Sequence, residues 1–251
     1  MTDYLSNNPA GRLYQILLEV QKQQNNGEPM QKVWARIFEL DGQDTEEVFR
    51  AYLELLKLLK SAREAVEQLP DVDPDLYLKP FEQLERAFTV SSVATNLQSF
   101  KQHLTEGTMT ALRFCAYALS KVSNETEVSK EALRELREKV EALISEVLSS
   151  EFQYELRIFL IERLEEIRRA IIYYRVNGTK GLRRALETTI GASYLWVHSE
   201  GSIEFDSEEK RVKWSKIGEE FKNIILEVAK SVVPEVAKAL ISTRFPILPE
   251  P

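Results

Sequence analysis

The 251-residue sequence predicts an all-α protein, a bundle or array of about eight to ten helices, and three observations carry that expectation. Gly and Pro are scarce at 9 each, which disfavours a turn-rich β fold. Leu, Glu, Ala, Lys and Arg, the strong helix formers, dominate the composition. Apolar residues recur at alternating steps of three and four, which puts them on one face of a helix.

Asn8 and Pro9 read as N-cap and first residue of a helix running to about Gln24. The run 25–29, NNGEP, breaks it, and a short helix, MQKVWARIFEL, then stops at Asp41-Gly42. Val48, Tyr52, Leu55, Leu59, Ala62, Val66 and Leu69 form one seam along a long helix from about Asp44 to Leu69. Phe49, Leu53 and Leu56 add a second apolar flank, so the first half of this helix is expected to be covered on two sides. After the break at LPDVDPD, Pro74 opens a helix to about Phe88, and residues 91–122 are helical with an interruption at Glu106-Gly107.

Thr126 is a candidate cap for the next helix, in which Leu133, Leu136, Val140, Leu143 and Val147 form the seam. A further helix spans about Ser150 to Val176, stopped by Asn177-Gly178, with Thr179 as cap of the helix that follows. Residues 194–205, YLWVHSEGSIEF, are rich in aromatic and β-branched residues around SEGS and fit one small hairpin. Trp214, Ile217, Phe221, Ile224 and Val228 mark the last long helix, and Pro234 kinks or restarts it. The natural division is an N-terminal helical part, 1–125, and a C-terminal part, 126–251, although one continuous array fits the same pattern.

Composition narrows the function classes. The single cysteine, Cys115, allows no intramolecular disulfide and fits a reducing compartment. The N-terminus lacks the basic and apolar regions of a secretory signal, and no apolar run reaches the roughly 18 residues a membrane span needs. A cytoplasmic protein is expected. A net charge of −7 disfavours binding to double-stranded nucleic acid.

The charge is nonetheless uneven. Residues 157–184 hold eight bases against three acids, Glu162, Glu165 and Glu166. On a helical wheel for a helix continuing to Val176, Arg157, Arg168 and Arg175 fall together inside the apolar arc. Charged groups on such a face need partners. Two readings follow: the arginines snorkel or pair with neighbouring carboxylates, or they form a column that binds an anion or an acidic partner. Lys180, Arg183 and Arg184 extend the second reading into a basic helix–turn–helix corner, where a phosphorylated small molecule would meet a helix N-terminus. The glycines there lack the strand and the spacing of a P-loop and are accounted for by the turn itself.

The other motifs carry little chemistry. Asp71, Asp73, Asp75 and Glu82 imitate an EF-hand loop, but Leu76 stands where glycine is required, and Asp73 is better read as a helix cap. Cys115 lies in an apolar run, TALRFCAYAL, as a small core residue rather than a nucleophile paired with His103 or His198. One cysteine and two distant histidines make no zinc site. No metal or cofactor is expected, and no catalytic set is present in the sequence.

The segment ELRIFLIERLEEIRRAIIYYRVNGTKGLRRALETTIG, residues 155–191, resembles a stretch of uncharacterised bacterial helical proteins with the form long helix, IRRAI, Y-R-x-x-G, short helix, G. Such proteins sit near mobile elements and anti-phage defence loci. The resemblance implies a defence-associated or accessory role and supplies no reaction or catalytic residue. The first expectation is therefore a non-enzymatic interaction protein that meets a protein partner, or a second copy of itself, through an apolar surface with embedded arginines. The alternative is a ligand-responsive module that binds a phosphorylated small molecule at Arg168, Arg175, Lys180, Arg183 and Arg184, with Arg157 joining them as a position for an anion or an acidic partner.

Overall fold

Side-chain caps set most of the helix starts, in a computed structural model that describes residues 8–70, 73–89, 94–122, 125, 127–199, 205–242 and 248. Asn8 accepts a hydrogen bond from the Gly11 N–H at 2.9 Å, Asp44 from Glu47, Asp73 from Asp75, Asn96 from Ser99 and Ser129 from Ala132. Each satisfies a backbone donor that the first helical turn leaves unpaired. The result is eleven helices and no strand among the described residues. They are α1 (Pro9–Lys22), α2 (Met30–Ile37), α3 (Thr45–Glu67), α4 (Pro74–Ala87), α5 (Leu97–Lys101), α6 (Glu106–Ser120), α7 (Lys130–Leu148), α8 (Tyr154–Ile172), α9 (Tyr174–Ser199), α10 (Glu208–Val232) and α11 (Pro234–Ser242).

The chain forms two compact units: Met1–Glu127 with Arg175–Gly178, and Val128–Tyr174 with Thr179–Pro251. In the first, α1 packs against α3 and α6, and α4 against α3 and α6. Its centre is four buried rings: Trp34 stacks on Phe88 at 6.1 Å and meets Phe100 edge-on at 5.4 Å, while Tyr52 stacks on Phe88. The loop before α2 is tied to the start of α5 by backbone hydrogen bonds from Met30 to Thr95 and from Leu97 to Glu28. In the second unit α7 packs on α8 and α10, and α10 on α11. Phe152 meets Trp214 edge-on at 5.8 Å within a core of Leu and Ile from α7, α8 and α10.

Several local expectations are corrected. Tyr194–Ser199 are the last turns of α9, not a strand of a hairpin; residues 200–204 lie outside those described. Leu182, Leu186, Thr189, Ser193 and Trp196 step by 4,3,4,3. The first four are buried, and Trp196 stacks on Phe159 at 4.7 Å. Burial of that seam outweighs local β propensity, and two small hydroxyl residues hid it. The helix expected from Ser150 to Val176 ends at Ile172, where Tyr173 leaves helical dihedrals. Gly178, at φ 58° and ψ −155°, is the residue off helical dihedrals inside α9, so Thr179 is already helical and is not a cap.

The break near residue 106 falls earlier, because the Thr105 hydroxyl accepts from the Thr108 N–H and makes Glu106 the first residue of α6. Likewise α2 stops at Ile37, where Glu39 adopts a left-handed φ of 55°. Thr126 lies outside the described residues, and Ser129 caps α7. Phe49 and Leu53 are exposed while Leu56 is half-buried, so the second flank of α3 is open at its first two positions.

Candidate functional site

The predicted arginines divide between the two units. Arg175 belongs to the first, where its guanidinium donates to the Ile37 carbonyl at 2.9 Å and pairs with Glu19. The three following residues are held there as well. The Val176 carbonyl accepts from Arg12 Nε at 3.0 Å, and Asn177 donates to Glu54 at 3.0 Å. Gly178 lies against Arg12 and Glu125, which form a buried ion pair at 2.7 Å. A Cβ at Gly178 would stand 2.6 Å from both Arg12 Nη1 and Glu125 Oε2. The expected Asn-Gly stop therefore serves a close approach as well as a turn.

The remaining site residues lie in the second unit. Arg168 pairs with Glu165 one turn back at 2.9 Å, which satisfies it within its own helix. Arg157 is half-buried, and its Nε has no hydrogen-bond partner among the described residues. Lys180, Arg183 and Arg184 are exposed. Because α8 ends at Ile172, Arg175 does not continue the helical row of Arg157 and Arg168, and the three-arginine column drawn from the wheel is not formed.

Cys115 is buried and donates to the Tyr77 carbonyl at 3.3 Å. Burial pushes its thiol up to about 12, the opposite of what a nucleophile needs. Among the described residues no cluster of His, Cys, Asp or Glu is arranged to hold a metal ion. No helix of the described residues is long and apolar enough to cross a membrane.

The most distinctive surface belongs to α6, where the sequence reading placed no site. Thr108, Met109, Leu112, Cys115, Ala116 and Leu119 are buried in the first unit. On the opposite face Phe114 is 63% exposed and Tyr117 49% exposed, with Thr110, Arg113 and Lys121 beside them. Lys121 sits 4.5 Å over the Tyr117 ring. Asn8, at the start of α1, donates to the Ala116 carbonyl near the end of α6; Gln21, near the end of α1, donates to the Leu104 carbonyl just before α6. These two bonds fix the helices antiparallel. Between them opens a cleft of about 570 Å³ lined by Tyr14, Gln21, Glu106, Met109, Thr110, Arg113, Phe114 and Tyr117.

The signal for this face was present in the sequence. Thr108, Leu112, Cys115 and Leu119 step by 4,3,4, and so do Thr110, Phe114, Tyr117 and Lys121. A helix with two such seams has one to bury and one to offer. Comparison with family models, characterised proteins and solved structures finds no match for this chain.

Proposed function

We propose that this is a non-enzymatic helical interaction protein that recognises a protein partner through the outer face of α6. The observation that carries this reading is Phe114 and Tyr117, two large rings one turn apart, exposed opposite the buried face of the same helix. Rings of this kind supply most of the energy of protein recognition, and Arg113 and Lys121 beside them add charge specificity. The surface has the expected character, apolar with an embedded arginine, at a place other than residues 157–184. The internal pairing of Arg168 and Arg175 favours it over a phosphate-binding corner. A lone cysteine, buried and protonated, suits a reducing cytoplasm and gives no nucleophile. The likeness of residues 155–191 to defence-locus proteins extends the proposal to an accessory role in bacterial defence.

Native mass spectrometry of the tagged chain, purified gently from its own host, tests this reading against a Phe114→Ser/Tyr117→Ser variant of equal thermal stability. The expected result is a complex larger than one chain that is lost in the variant. Complexes unchanged by the variant overturn it. A small adduct that vanishes in Arg183→Glu/Arg184→Glu overturns it in favour of the ligand module.

A further inference from the structure

The outer face of α6 has an internal symmetry. At 100° per residue, Glu106, Thr110, Arg113, Phe114, Tyr117 and Lys121 share an arc of about 100°. The buried residues Thr108, Leu112, Cys115 and Leu119 lie on the opposite side. Turned end for end about a point between Arg113 and Phe114, the exposed row maps onto itself: position 106 exchanges with 121, 110 with 117, and 113 with 114. Every exchange joins groups that attract. An acid meets a base, a threonine meets a tyrosine, and a guanidinium meets an aromatic face.

We propose that α6 is a self-complementary docking helix, along which a second copy of this chain lies antiparallel about a two-fold axis passing between Arg113 and Phe114. This rests on reading the outer face of α6 as the recognition surface. In a two-fold interface each contact is made twice. Glu106 pairs with Lys121 of the second copy and the converse, and these two charges have no ion pair among the described residues. Thr110 meets Tyr117 of the second copy. Phe114 of the second copy comes opposite Arg113, which lines the cleft between α1 and α6, and the cleft of about 570 Å³ has room for its ring. The row from 106 to 121 is about 22 Å long at 1.5 Å per residue. A single helical seam of that length is at the small end of specific interfaces, so the dimer is reversible and of micromolar strength. The open flank of α3 at Phe49 and Leu53 lacks this property, because its nearest charges, Glu46 and Arg50, already pair within the helix.

Sedimentation of the full chain across the micromolar concentration range decides the matter. The wild type passes from monomer to dimer with concentration. Glu106→Lys and Lys121→Glu each place like charges together twice and weaken the dimer by roughly tenfold or more. The double variant Glu106→Lys/Lys121→Glu re-forms both pairs in reverse and recovers the dimer. All these positions are exposed, so thermal stability stays close to that of the wild type. A wild type that remains monomeric throughout overturns the inference, and so does a double variant no tighter than either single one. In both cases, loss of some other partner from Phe114→Ser/Tyr117→Ser leaves α6 as the recognition surface and removes only the self-docking. Retention of every partner by that variant removes the surface as well.

Discussion

The arginines of the two units differ in their surroundings and do opposite things. In the first unit Arg12 is 7% exposed, bonded to the Val176 carbonyl and to Glu125, with Gly178 pressed against it. In the second unit Arg183 and Arg184 stand in solvent on α9. The residue type is the same and the energetics differ because burial differs. A guanidinium out of water needs every donor answered, whereas one in water is already solvated. The buried cluster is therefore a structural fastening and the exposed one a matter of surface charge.

The contrast is sharpened most by Gly178→Ala. The φ and ψ of Gly178 fall in a region open essentially to glycine, and the new Cβ would displace the Arg12–Glu125 pair. Chemical denaturation is expected to show a loss of about 4 kcal/mol, by backbone strain plus a broken buried pair. A loss under about 1 kcal/mol would mean that the pair relaxes freely and the fastening is loose. Arg12→Met comes next. It removes the guanidinium that pairs with Glu125, whose side chain is 11% exposed, and costs about 3 kcal/mol. Adding Glu125→Gln returns part of that loss if the cost lies in the buried carboxylate that has lost this guanidinium. Additivity of the two losses would show instead that each residue acts alone.

Cys115 gives a third point, a buried titratable group with no opposing charge. Its thiol is raised from 9.0 to about 12, so the folded state holds its proton where the unfolded chain has released it. Stability is therefore complete below pH 9 and falls as pH rises from there towards 12, by about 2 kcal/mol at pH 10.5. Denaturation curves across that range should steepen in their pH dependence, and Cys115→Ala should flatten it. An alkylating reagent at neutral pH should leave the folded thiol untouched; rapid labelling would contradict its burial. The smallest effect belongs to the exposed cluster. Arg183→Ala and Arg184→Ala should each change stability by less than about 0.5 kcal/mol. A larger change would mean that these arginines hold structure after all.

Much of the architecture is written in three-and-four periodicity and caps. The seams of α3, α7 and α10, the starts of α1 and α4, and the break before Pro234 follow from local rules, because each depends on side chains within a turn or two of one another. The all-α class rests on the same ground. Where local signals competed, packing decided. Tyr194–Ser199 carry strand-like residues, but Ser193 and Trp196 have neighbours that only the folded second unit supplies, and the segment is helical.

The candidate site divides in the same way. The sequence by itself determined the all-α class and most of the helices, that Gly178 breaks one, and that α6 carries two seams. It could not determine which seam is covered, since that depends on α1, α3 and α4 arriving from distant parts of the chain to pack on α6. Nor could it say that Arg175 finds Glu19 and the Ile37 carbonyl, more than a hundred residues away, or that Arg168 needs only Glu165. The physical reason is common to both. Helix formation is a contest among neighbours in sequence, whereas burial and charge pairing are settled among neighbours in space.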